Sequence, residues 1–110
     1  GGKKSVNIDE RIVNIKKRFD SSSALKDIEN TEGCIEEAEK IVKDMNLSHY
    51  EKAELYYSIA TAYADLEIFK YEHRLDEEAI SLQEKSIYNF RAALDELEFE
   101  DLDDIANGLY

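Results

Sequence analysis

The sequence predicts an all-α domain of about five helices arranged as antiparallel hairpins, and three observations carry that prediction. Proline is absent and the four glycines stand at positions 1, 2, 33 and 108, so almost nothing interrupts a helix or supplies a tight hairpin turn. Apolar residues recur three or four apart through most of the chain, whereas no segment alternates apolar and polar residues in the rhythm of a half-buried strand. With 110 residues, 43% of them apolar, the chain is long enough for one core and too short for two. The expectation is a single domain over residues 3–110, with Gly1 and Gly2 reading as the remnant of a cleaved tag.

The first helix is predicted over Val6 to Phe19, where Ile8, Ile12, Ile15 and Phe19 share one face. The cluster Asp20-Ser21-Ser22-Ser23 ends it and offers a cap to the next. A second helical region runs from Ala24 to about Met45 on Leu25, Ile28, Ile35, Ala38, Val42 and Met45, with Gly33 as the point where it bends or splits. Asn46 and Leu47 form a short link. Ser48-His49-Tyr50-Glu51 then spells a capping box, in which serine hydroxyl and glutamate carboxylate each accept from the other's backbone amide. The third helix runs from His49 to about Lys70, followed by a charged link at His73-Arg74-Leu75. Asp76 caps a fourth helix reaching about Leu97, with Ala79, Leu82, Ser86, Phe90, Ala93 and Leu97 facing inward. Glu98 to Glu100 read as another link and Asp101 as the cap of a fifth helix opened by Leu102, Ile105, Ala106 and Leu109. That helix stops after about two and a half turns. An amphipathic helix cut short leaves its predecessor's apolar face uncovered, which points to a fragment of a longer array or to a second subunit.

Charge narrows the function classes. The formal net charge is −12, from 26 acidic and 14 basic residues, and such a balance repels nucleic-acid phosphates and anionic lipid headgroups. No apolar run is long enough to span a bilayer, and GGKKSVNIDE lacks the apolar middle of a signal peptide, so the chain reads as cytoplasmic. The sequon Asn46-Leu47-Ser48 matters only in a secreted protein. Cys34, the single cysteine, has no partner for an internal disulfide and reads as a small buried hydrophobe.

Catalytic and metal motifs do not emerge, and no cofactor, metal or enzymatic activity is expected. His49 and His73 are the only imidazoles, both expected to be exposed, and neither belongs to a Glu-x-x-His or His-Glu-x-x-His pattern. Phosphate loops and dinucleotide fingerprints are missing from the sequence too. The acidic runs Glu36-Glu37, Asp76-Glu77-Glu78 and Glu96 to Asp104 lack the glycine-centred alternation of a calcium loop and read as solvated faces complementing helix dipoles. Glu96 to Asp104 holds six carboxylates, a candidate for a loosely held cation or a basic segment.

The third helix resembles the first helix of a tetratricopeptide repeat (TPR), which sets a large aromatic, leucine, a small residue and tyrosine at fixed spacings. Here Tyr56, Ile59, Ala60 and Tyr63 fill those places, with Leu66 as a further core position. Ser86, Phe90 and Ala93 fit the second helix of such a repeat, and Ala38, Val42 and Met45 fit an earlier one. Ile105-Ala106-Asn107-Gly108-Leu109-Tyr110 resembles the opening of a following unit. The likeness covers Cys34 to Tyr110; its Tyr50–Leu97 hairpin has longer arms than a repeat of about 34 residues, and the closing proline is absent. The resemblance implies a non-enzymatic protein-interaction module, a fragment of a longer bacterial-type repeat protein, whose concave face carries Glu54, Tyr57, Thr61, Ala64 and Asp65. Of these, Glu54, Tyr57, Thr61 and Asp65 step by three, four and four and so share one stripe. Acidic with one aromatic plate, it suits a basic or polar peptide or helix. The lysines and asparagines with which TPR modules grip a terminal carboxylate do not stand there. Two other readings remain: a regulatory or oligomerisation segment of a larger enzyme, as in proteins that place TPR arrays ahead of a HEPN-type ribonuclease domain, and a homodimeric helical bundle.

Overall fold

A computed structural model describes the backbone of residues 8–106 and the side chains of residues 8–99. Among the described residues the chain is all-helical, with four helices: α1 (Glu10–Ala24), α2 (Ile28–Ile41), α3 (His49–Glu72) and α4 (Asp76–Ala106). The first two form one hairpin and the last two another. α3 packs against α1, α2 and α4, whereas the backbone of α4 approaches α3 alone.

The first three helices each begin where a side chain takes up a free amide. Asp9 accepts from the amide of Arg11, and Asp27 accepts from that of Asn30. The capping box forms as predicted: Glu51 N–H donates to Ser48 Oγ at 3.1 Å, and Ser48 N–H to Glu51 Oε1 at 3.0 Å. Glu51 also accepts from Asp9 N–H at 2.8 Å, so one carboxylate ties the start of α3 to the start of α1. Asp76 is the first residue of α4 and not its cap, since the Leu75 carbonyl takes the first helical bond, from Ala79.

Both hairpins are closed by the same turn. After α1, Lys26 N–H donates to Ser23 O and Asp27 N–H to Ser22 O; after α3, Arg74 N–H donates to Tyr71 O and Leu75 N–H to Lys70 O. These are paired 5→2 and 6→1 bonds of a Schellman motif, and they require a left-handed residue at the first position past the helix. Lys26 (φ 52°) and Arg74 (φ 58°) supply it without being glycine.

Several boundaries differ from those read in the sequence. The serine cluster lies inside α1: Ser22 Oγ bonds back to the Phe19 carbonyl and is met by Thr31 Oγ1 at 3.0 Å, so a buried polar pair joins α1 to α2. The predicted second helix is interrupted at Leu25-Lys26 and not at Gly33, which sits in an unbroken α2. Leu25 and Met45, expected in the core, are 76% and 90% exposed, because one lies in the α1–α2 turn and the other in the α2–α3 link. The expected link at Glu98–Glu100 is helical, and α4 runs through to Ala106 in place of a separate fifth helix. Asp101 is a good cap residue, but with no glycine or proline nearby helix propagation continues through it. Leu109 lies outside the described residues.

The core assembles on three sides of α3. Ile12, Ile15 and Phe19 of α1, Cys34, Ile35, Ala38 and Ile41 of α2, and Leu55, Ile59, Ala62, Tyr63 and Leu66 of α3 are buried together, with Ile8, Ile28, Tyr56 and Leu82 packed on the edge. Full burial of side chains such as Ile12, Leu55 and Ile59 contributes about 1.5–3 kcal/mol each. Toward α4 many of the buried residues are small, Ala53 and Ala60 on α3 and Ala79, Ser86 and Ala93 on α4, with Ser86 Oγ bonded to the Ala60 carbonyl.

Candidate interaction groove

The AELYYSIATAYADLE stretch divides between two surfaces. Ile59, Ala60, Tyr63 and Leu66 are buried and Tyr56 is partly buried, whereas Tyr57 is 58% exposed. Tyr57 stands on the side of α3 between α1 and α4, in line with Thr61, Ala64, Ile68 and Tyr71 at spacings of four, three, four and three. A second groove of about 620 Å³, more polar, lies between α2 and α4 over Tyr56, Ile59 and Tyr63.

The acidic members of the expected stripe are engaged within the molecule. Glu54 forms an ion pair with Lys16 of α1, and Asp65 accepts from Ser23 Oγ at 2.9 Å. Thr61 donates to its own helix at Ser58 O, 2.9 Å away. Of the four predicted contact residues, Tyr57 alone presents a large, mostly exposed side chain, and Glu54 and Asp65 serve the α1–α3 joint instead.

What Tyr57 meets comes from α4. Its ring lies edge-on to Phe90, 5.7 Å between centroids and 66° between planes. Ala53, Glu54, Tyr57, Phe90, Ala93, Leu94 and Leu97 line an open groove of about 620 Å³. Leu94 is 65% exposed and Leu97, expected to face inward, is 40% exposed. A smaller hollow of about 290 Å³ continues from Tyr57 past Thr61 to Asp65, with Asp20 and Ser23 of α1 as its far wall. The groove therefore has an α3 floor, an apolar α4 wall and a polar α1 wall.

Of the α4 wall, periodicity on a single face identifies Phe90, Ala93 and Leu97 but not Leu94. Ile80, Ile87 and Leu94 stand seven apart, all exposed, and with Gln83, Phe90 and Leu97 they make a second apolar seam of heptad spacing beside the Ala79-Ser86-Ala93 face that meets α3. A helix that is apolar on two adjacent faces is the signal for two neighbours.

Other chemistry-bearing groups have structural partners. Burial pushes the Cys34 thiol up from its ordinary pKa, favouring the protonated form in the core. His49, expected to be exposed, is half-buried at the start of α3, its Nδ1 2.6 Å from Glu96 Oε2 and its ring stacked on Phe99 at 5.5 Å. That contact occupies the first carboxylate of the Glu96–Asp104 run. His73 is exposed, as expected, with Nδ1 2.9 Å from the Phe69 carbonyl. Among the described residues, no group of three or more His, Cys, Asp or Glu side chains is placed to hold a metal, and no helix is long and apolar enough to cross a membrane.

A scan against protein-family models, a search of curated proteins and a search of solved structures each find no match to this chain.

Proposed function

We propose that this chain is a non-enzymatic protein-interaction module of TPR-like type, which holds an amphipathic helix of a partner in the groove between α3 and α4. The observation that carries the reading is the apolar groove that Tyr57 of α3 forms with Phe90, Leu94 and Leu97 of α4, continued along α4 by exposed Ile87 and Ile80. Clustered exposed apolar side chains bordering an open groove are the usual mark of an interaction surface.

The repeat character is supported by three features. Both hairpins close with the same Schellman turn, α3 lies against both helices of the preceding hairpin, and Ala60 and Ser86 are the small residues where TPR helices meet. By that pattern, α3 is itself the example of what the next groove takes: a helix whose Leu55, Ile59, Ala62 and Leu66 recur at four, three and four. The partner's chemistry shifts accordingly from a basic peptide on an acidic stripe to a helix with an apolar face, with charge confined to the rim.

The test is capture of interacting protein from host extract by the wild type and by Tyr57→Ala with Leu94→Ser, followed by calorimetry on the purified partner. The reading expects at least a tenfold loss of affinity with the melting temperature nearly unchanged. Equal binding by wild type and variant rules the groove out.

A further inference from the structure

The geometry points to a second copy of this chain as the occupant of the groove, α4 of each protomer lying antiparallel on α4 of the other across a two-fold axis. This rests on the reading of the α3–α4 face as an interaction surface and names its partner.

The heptad seam is self-complementary. Two α4 helices set antiparallel, so that Ile87 of one faces Phe90 of the other, also bring Ile80 against Leu97 and Gln83 against Leu94, twice each by symmetry. The same register places Glu84 beside Arg91 of the other copy. Both side chains are exposed, and neither enters an ion pair among the described residues. An Arg91 in the middle of the wall weighs against a uniformly basic helix as the occupant. The acidic groups that would attract one, Glu54 and Asp65, are already paired with Lys16 and bonded to Ser23.

Size and charge set the strength. The seam from Ile80 to Leu97 is about 26 Å long at 1.5 Å per residue, and two helices about 9 Å apart give it a width near 18 Å. Two such faces bury roughly 1,000 Å², the lower bound of specific interfaces. Each protomer brings a net charge of −12, and the ends of the register set Glu77 beside Glu98 of the other copy. The dimer is therefore a micromolar one that salt strengthens, since the general repulsion outweighs two surface ion pairs.

The experiment is sedimentation equilibrium of the whole chain between about 5 and 200 µM at low and high salt. The expected result is a monomer–dimer equilibrium shifted toward dimer by salt. Arg91→Glu weakens it at low salt, and adding Glu84→Arg to that variant recovers wild-type affinity to within about threefold. Ile87→Glu should be monomeric with an unchanged melting temperature. A wild-type monomer at 200 µM in high salt overturns the proposal, as does a double variant no better than Arg91→Glu alone. If the wild type is monomeric and Ile87→Glu melts normally, the second copy is excluded while the face stays free for a different helix. If Ile87→Glu also unfolds the monomer, the interaction-surface reading falls with it.

Discussion

The hydroxyl of Ser86 donates at 2.8 Å to the backbone carbonyl of Ala60, inside the α3–α4 contact where both residues are buried. A helix carbonyl has a second lone pair, and here a side chain from the neighbouring helix uses it. The bond fixes the register of α4 on α3, and that register decides which α4 residues border the groove.

Ser86→Ala is expected to cost about 1 kcal/mol, the usual net worth of a buried neutral hydrogen bond. Ser86→Val should cost more, about 1–3 kcal/mol, because Ser86 is buried directly against the Ala60 backbone and valine both loses the bond and adds bulk there. Urea unfolding of the two variants measures both. A valine variant as stable as the alanine one would mean that the helices are looser here than the geometry implies.

The two hairpin turns offer stabilisation. Lys26 and Arg74 hold φ near +55°, where a Cβ is strained, and each sits at the position that glycine ordinarily takes in a Schellman motif. Lys26→Gly and Arg74→Gly are each expected to raise stability by about 1 kcal/mol. The turns lie at different hairpins, so the gains should add. Thermal unfolding of the single and double variants checks both statements, and a loss on either substitution would show that the lysine or arginine side chain contributes more than its backbone strain removes.

Gly33 is the opposite case. It lies within α2, exposed, with nothing within 4 Å of where a Cβ would stand. Gly33→Ala should therefore stabilise the protein by about 0.5–1 kcal/mol through helix propensity. No change in melting temperature would mean that the helix is not continuous at this position.

The sequence carried most of the core, because three- and four-residue spacing is a strong signal: Ile12, Ile15 and Phe19, then Ile59, Tyr63 and Leu66, fall where periodicity puts them. The capping box was readable for a related reason, being a local bond pattern spelled by four consecutive residues. Local cues misled at Ser21 to Ser23, where Ser22 stays helical and is buried against Thr31, and at Asp101, where no glycine or proline stops the helix. The candidate site was half visible. Tyr57 stood out by helical phase, but the engagement of Glu54 by Lys16 and of Asp65 by Ser23 joins residues 38 and 42 apart in the chain. The α4 wall needed a second face to be read on one helix. Which face meets which neighbour depends on how α1 and α4 flank α3, a relationship that no single helix's periodicity contains.

Tyr63 makes stability depend on alkaline pH in a defined direction. Its ring is 9% exposed, its hydroxyl is 3.3 Å from Glu39 Oε2, and Lys85 lies over the ring 5.7 Å from its centre. Burial, followed by the nearby Glu39 charge, pushes the phenol up from 10 to about 12. The folded state thus holds the proton more tightly than the unfolded chain does. The contribution is fully present below pH 10 and is lost as pH rises through about 12. Its size is on the order of 2–3 kcal/mol at 1.36 kcal/mol per pKa unit. Tyr56, raised in the same direction by burial, adds to the trend and stays in the variant. Tyr63→Phe should therefore unfold less steeply than the wild type between pH 10 and 12, while at pH 8 it loses at most the one long hydrogen bond to Glu39. Urea titrations at pH 8, 10, 11 and 12 give the comparison. Parallel curves for the two proteins would show that Tyr63 ionises as readily in the folded state as in the unfolded chain, and so is not held in the core as described.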